Sequence, residues 1–250
     1  MTIGLICALP QELDHLRDVL TTSRRDVVAG LDFHSGQLDG HDCVLAGSGM
    51  GKVNAAVVAT VMADRFDCRA IVFAGVAGGL DPTLGIGDVV IADLALQHDA
   101  GLIERECLQT YQAGHVPAIN PIDHLGYRTD DELLARVMQR LDGVELLAMS
   151  AAAGGTGQPT RIRYGTVVTG DQFVQCAATR NRLYEQFGGS AIEMEGAAVA
   201  QVCESFKVPW LVIRTLSDLA GSESLSDFGV FAEEVAANSA AVLRLVLPVL

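Results

Sequence analysis

An α/β fold built on a mixed sheet is what this sequence predicts, and three observations predict it. Short apolar runs at residues 3–9, 70–74, 89–92 and 210–213 carry no polar face, as strands buried on both sides do. Segments with helical spacing or small side chains lie between them. Asp39-Gly40, between residues 33–38 and 43–46, is a hairpin signal that a purely parallel sheet would not contain. The chain has 250 residues, half of them hydrophobic, enough for one large domain over 1–250.

The elements follow in order. Residues 3–9 form the first strand, and Pro10 stands where a first helical turn tolerates proline, with Leu13, Leu16, Val19 and Leu20 at helical spacing. After the hairpin, residues 51–66 read as a small-residue helix and 70–74 as a buried strand. Gly78-Gly79 and Pro82 then break the chain before the strand at 89–92. Residues 97–128, with Gly114, Pro117 and Pro121, form a long excursion of the kind that is functional or disordered. A helix with an acidic start covers 130–141, and the Ala-, Gly-, Thr- and Pro-rich stretch at 148–160 is a surface loop. Residues 164–169 are a strand, 196–206 a helix, 210–216 a strand and 228–247 a terminal helix. No repeat or linker interrupts this order.

Charge narrows the function. Seventeen Lys and Arg stand against 31 Asp and Glu, a formal charge of −14. Such a chain lacks the basic footprint of a nucleic-acid binder and suits anionic membranes poorly. A small neutral or zwitterionic ligand fits better. The six cysteines show no paired or zinc spacing, so neither a disulfide framework nor a metal site is expected. The apolar start has no basic segment before it, and no run approaches the ~20 residues of a membrane span. A soluble cytoplasmic protein is expected.

Two stretches carry chemistry. Ile192-Glu193-Met194-Glu195-Gly196 sets two carboxylates around a methionine at a strand-to-helix junction, and Arg214-Thr215-Leu216-Ser217-Asp218 ends an apolar strand in charged groups. Open α/β sheets place ligands at such strand ends. Carboxylates accept hydrogen bonds from a sugar diol and a methionine packs on ring carbons; acidity at a helix N-terminus accounts for the same residues equally well. Glu12, just past the first strand, has the same two readings. Gly75-Val76-Ala77-Gly78-Gly79 is either a close approach of backbone to ligand or a tight loop. Gly47-Ser48-Gly49-Met50-Gly51-Lys52 invites a phosphate reading. It departs from the P-loop at Ala46 and Val53, and is better read as a tight turn with Lys52 solvated. Among six histidines only His98, beside Asp99, is worth watching.

These pieces together resemble the purine nucleoside phosphorylase/hydrolase superfamily over nearly the whole chain. The resemblance rests on Ala8 and Glu12, residues 48–53 and 75–80, Pro82-Thr83-Leu84, Gly87-Asp88-Val89-Val90, His98-Asp99, Gly170-Asp171-Gln172-Phe173, Glu193-Met194-Glu195 and residues 214–218. It implies a three-layer α/β sandwich with a mixed central sheet, working as a homodimer without cofactor. It also implies a small-molecule adenine nucleoside, 5′-methylthioadenosine or S-adenosylhomocysteine, as substrate. Asp218 would then protonate adenine N7, Glu12 would activate water, and Arg214 would help hold both water and Glu12. Glu195 would bind the ribose hydroxyls with Met194 beneath the sugar. Phe173 would stack on adenine while the backbone of Val174 reads its edge. Ala8, Val76, Ala77, Gly78, Glu193 and Ser217 would complete the substrate site, and Val116-Pro117 match the segment with which a partner subunit closes the 5′ pocket. Val76 stands where nucleosidases of this superfamily generally carry a small hydroxyl residue.

Cleaving an N-glycosidic bond builds positive charge on the ribosyl ring and negative charge on the purine. A protonated Asp218 would answer the second charge and the neighbouring carboxylates the first. Burial and clustered carboxylates would keep that proton on Asp218. Three other readings compete: a phosphorylase, a hydrolase of another purine nucleoside such as futalosine, and a non-catalytic nucleoside-binding protein. Phosphate as nucleophile needs arginines, and the first loop, Leu9-Pro10-Gln11-Glu12, offers a carboxylate instead.

Overall fold

Every strand at the centre of the molecule buries both of its faces, and this sets the layers. In β1 (Thr2–Cys7), β5 (Cys68–Gly79) and β12 (Trp210–Asp218), alternate side chains point to opposite sides of the sheet. Ile6, Ile71, Phe73, Trp210 and Val212 pack on one side with α2 (Lys52–Arg65) and α5 (Gly196–Phe206). Ile3, Leu5, Val72, Leu211 and Ile213 pack on the other with α1 (Pro10–Arg17), α3 (Asp131–Leu141) and α6 (Ser224–Val246). The computed structural model describes residues 2–116, 118–122, 124–146, 148–150 and 159–250, with the backbone alone at 225–227 and 229–233.

The sheet is mixed, as the hairpin signal predicts. β1 lies parallel to β5 and to β4 (His41–Gly47), while β3 (Leu31–Leu38) and β2 (Thr21–Val28) extend that edge antiparallel. On the other side of β5 come β12, β6 (Val89–Gln97), β10 (Ile162–Thr169) and β11 (Gly189–Glu193), in that order. β11 then pairs back onto β5, antiparallel, at Ala191 with Gly79 and Ile192 with Gly78. Half of the sheet therefore curls into a closed ring of five strands, and half stays open.

The ring settles the open reading of residues 75–79: they are strand, not loop. A Cβ on Gly78 would lie 3.0 Å from Asp218 Oδ1 and 3.3 Å from Ile192 Cγ2. A Cβ on Gly75 would lie 2.7 Å from both Glu12 Oε1 and Arg214 Nη1. A side chain at Gly75 would collide with the site's own charged groups, and one at Gly78 would press on Asp218 and the neighbouring strand.

Four further differences have local causes. β2 is exposed along nearly its whole length and so carries no apolar signal. The helix α4 (Ala177–Phe187) buries only Leu183. The 97–128 excursion contains a hairpin of β7 (Gly101–Glu104) and β8 (Cys107–Thr110) and a two-residue strand, β9 (Tyr127–Arg128), paired with β6. The terminal helix starts at Ser224, ahead of Phe228. The loop read at 148–160 lies mostly outside the described residues.

Candidate active site

The carboxyl ends of β1, β5 and β12 face one cavity of about 370 Å³, and the closure of β11 onto β5 supplies its remaining wall. Ala8, Glu12, Val76, Ala77, Gly78, Phe173, Glu193, Met194, Glu195, Ser217 and Asp218 line it. Val174 lines a narrow recess that opens beside Phe173 and Asp218. Arg214 lies behind the wall, 1% exposed, and reaches the site through its ion pairs. Val116 is exposed and stands outside the cavity lining, while Pro117 is outside the described residues. Sequence reasoning missed Leu9, Met50, Ile192 and Phe228. Phe228 sits in no motif, and only its place beside Phe173 in three dimensions identifies it: the two rings meet edge-on at 6.1 Å.

Glu12 is fixed by backbone. Its Oε2 accepts the N–H groups of Ala8 and Leu9 at 2.8 and 2.9 Å, and its Oε1 accepts that of Val76 at 2.9 Å. Burial drives its pKa up; the Arg214 charge and the three amides work against that rise without cancelling it. A carboxyl so placed has both oxygens held, Oε1 by a single amide, and a raised basicity, the combination a general base needs.

Glu193 and Glu195, two residues apart, do different work. Glu193 Oε2 accepts from Arg214 Nη2 at 2.5 Å and from the backbone of Gly196 at 2.7 Å, and Thr169 donates to Oε1. Those partners leave Glu193 an anchor for Arg214 and for the start of α5. Arg214 also stacks on Phe73, 4.0 Å from ring centroid to guanidinium carbon. Glu195 instead has one oxygen on the Gly51 N–H at 2.8 Å and the other 3.7 Å from Arg214. Burial, and then the Glu193 charge, raise its pKa to about 7.

Asp218, at the end of β12, lines the same cavity. It is 2% exposed; Oδ1 accepts the Ala220 N–H at 2.8 Å and Oδ2 the Ser217 hydroxyl at 3.1 Å. It lines both the cavity and the recess beside Phe173 and Val174.

The loop before α2 corrects one expectation. Lys52 is not solvated: its ammonium pairs with Asp99 at 2.6 Å, with both side chains largely buried. Asp99 in turn accepts the Asp171 N–H at 2.9 Å, and Asp171 accepts the Lys52 N–H at 2.9 Å. The adjacent amides of Gly51 and Lys52 therefore face Glu195 and Asp171, so protein carboxylates already fill the turn that resembled a phosphate loop. His98 packs behind this clamp, its Nε2 against Gly170. Among the described residues no group of three His, Cys, Asp or Glu is arranged to hold a metal.

Comparison with known proteins gives the family. The family model of the phosphorylase superfamily matches residues 2–248. A 5′-methylthioadenosine/S-adenosylhomocysteine nucleosidase of Mycobacterium tuberculosis is 59% identical over 250 residues, covering all of this chain and 98% of that one. The crystal structure of such a nucleosidase from Colwellia psychrerythraea, in complex with adenine, is 35% identical with a TM-score of 0.84, covering 100% of this chain and 96% of that one. A futalosine hydrolase of Helicobacter pylori is similar too, at 28% identity and a TM-score of 0.82, covering 100% of this chain and 98% of that one.

Proposed function

The chain belongs to the phosphorylase superfamily, among its 5′-methylthioadenosine/S-adenosylhomocysteine nucleosidases, and from that premise we propose how its cavity hydrolyses the N-glycosidic bond of an adenine nucleoside. Asp218 donates a proton to N7 of the base and accepts from the exocyclic amine. Glu12 takes a proton from the attacking water, with Arg214 near enough to favour its charged form. Glu195 accepts the ribose hydroxyls over Met194, and Phe173 with Phe228 covers the base beside the Val174 backbone. Negative charge from Glu12 and Glu195 favours the oxocarbenium-like sugar, while the Asp218 proton neutralises the departing purine.

One observation carries the choice of water over phosphate. No lysine or arginine is among the described residues lining the cavity, and the guanidinium behind it is engaged by Glu193. An anionic nucleophile would meet carboxylates with no free cation. Adenine release from 5′-methylthioadenosine, measured with and without phosphate, tests this. Free 5-methylthioribose and rates independent of phosphate are expected; a ribose 1-phosphate product overturns the reading.

A second reading keeps the chemistry and changes the nucleoside. The likeness to a futalosine hydrolase and the apolar Val76 favour it, and the same assay run across a purine nucleoside panel decides it. The working unit in this proposal is a homodimer. Met50 at the cavity mouth continues into exposed Val53 and Val57 on α2, an apolar stripe at helical spacing that suits a second copy. The Val116 segment would close the 5′ end of the neighbouring cavity. All six cysteines are free, which fits the cytoplasm, and no helix of the described residues is long and apolar enough to cross a membrane.

A further inference from the structure

The end of β5 is held along its edges by pairing with β12 and β11, but few of its own side chains pack on the layers above and below. Residues 75–79 read Gly-Val-Ala-Gly-Gly, so Val76 is the one side chain there larger than a methyl group. Ala77 packs into the core on one side of the sheet, and Val76 is the larger contact on the other. Its side chain rests on two buried residues, Val235 of α6 and Met149.

Met149 comes from the segment following α3, and several contacts seat it. The Leu146–Thr160 bridge closes the base of that segment. Ser150 bonds to Glu234 through its N–H at 2.6 Å and its hydroxyl at 2.7 Å. The Asn238 amide lies 3.6 Å from the Met149 sulfur. Gly87 provides the cradle: with φ +93°, a Cβ there would lie 2.4 Å from Met149 Cγ. The same turn is tied to β12, since the Gly87 N–H bonds to the Leu216 carbonyl at 2.8 Å and the Leu216 N–H to the Asp88 carbonyl at 2.9 Å. The seat of Met149 therefore touches the strand beneath Glu12 and the strand that ends in Asp218.

We propose that Met149 is a positioning residue for the reaction: by pressing Val76 against Val235 it fixes the backbone amide on which Glu12 Oε1 rests. The proposal depends on Glu12 being the base. The Val76 N–H meets that carboxylate at 2.9 Å, and misplacing a reacting group by ~1 Å can cost about 10²-fold in rate. The same packing explains why residue 76 is apolar here. A hydroxyl there would replace a methyl group that packs on Met149 and Val235 and would loosen the seat.

Steady-state kinetics of Met149→Ala and Met149→Leu on 5′-methylthioadenosine, with Glu12→Gln and thermal melts alongside, test this. Met149→Ala is expected to lower kcat about tenfold while KM stays within about twofold, the signature of a lost transition-state interaction. Met149→Leu, close in volume, should recover most of the loss. Met149→Val stands in if the alanine variant does not fold. A lower melting temperature with kcat unchanged, or a raised KM with kcat unchanged, overturns the proposal and leaves Met149 a structural residue. If Glu12→Gln turns over normally, the base assignment itself falls and the proposal with it. If Glu12→Gln is inactive and the Met149 variants are normal, only the proposal falls.

Discussion

At the floor of the cavity Glu12, Glu193 and Glu195 are 4–6% exposed and each is held by backbone amides, whereas at the rim Phe173 and Met50 stand 46% and 59% exposed. Glu193 ends β11 in the closed ring, while Glu12 and Glu195 stand at the starts of α1 and α5, where backbone amides hold them; Phe173 and Met50 stand on loops. A buried carboxylate without partners would neutralise or unfold its surroundings, so the charged half has to be organised before substrate arrives. An aromatic ring carries no such requirement and gains most of its burial when a base lies on it. The floor thus looks built for chemistry and the rim for capture. Substitutions should separate the two: floor variants should lose rate, and rim variants should lose affinity.

Asp218→Asn is the strongest way to break this contrast. It keeps the shape of the side chain and its bond to Ala220 N–H but removes the acidic proton. Adenine release should fall by ~10²–10⁴-fold, the range for a lost general acid. Near-normal turnover of adenine nucleosides would return Asp218 to a structural role at the end of β12.

Glu195→Ala comes next. Losing a charged acceptor for the ribose hydroxyls costs about 1.5–3 kcal/mol, roughly ten- to a hundredfold in kcat/KM for ribosides. Unchanged kinetics would leave Glu195 only its bond to Gly51. The same residue gives the floor a pH signature. Its pKa rises on folding from 4.5 to about 7, so the folded state binds more protons than the unfolded state between those values. Stability should therefore fall as pH rises from about 4.5 to about 7 and level off above; Glu12, also raised, contributes with the same sign. Glu195→Gln should flatten that slope in denaturant titrations of the free protein, and a slope left intact would assign it elsewhere.

The contrast between floor and rim also marks what a reader of the sequence can see. Strands buried on both faces announce themselves as apolar runs, and the acidic residues at their ends follow from that. Ring closure does not announce itself, because it depends on Ile192 meeting Gly78 across more than a hundred residues. Nor does the division of labour between Glu193 and Glu195, which face the same way in sequence and differ only in what Arg214 and Gly51 present to them. Lys52 looks solvated until its partner, Asp99, is brought over it by the end of β6. Phe228 is invisible for the opposite reason: a lone aromatic at the start of a helix carries no pattern.

Phe173→Ala should have the smallest effect, and it sharpens the contrast from the other side. Stacking of a base on an aromatic ring is worth about 1–3 kcal/mol. With Phe173 46% exposed and touching Phe228 edge-on at 6.1 Å, the lower end applies. Free adenine or the nucleoside should bind about fivefold more weakly, seen as a raised KM with kcat within about twofold. Phe173→Tyr should restore affinity, since the ring face is kept. The melting temperature should not move, because the ring leaves little apolar area buried in the empty protein. A drop in kcat as large as that of a floor variant would mean that Phe173 aligns the base with Asp218, and the division between capture and chemistry would have to be redrawn at that residue.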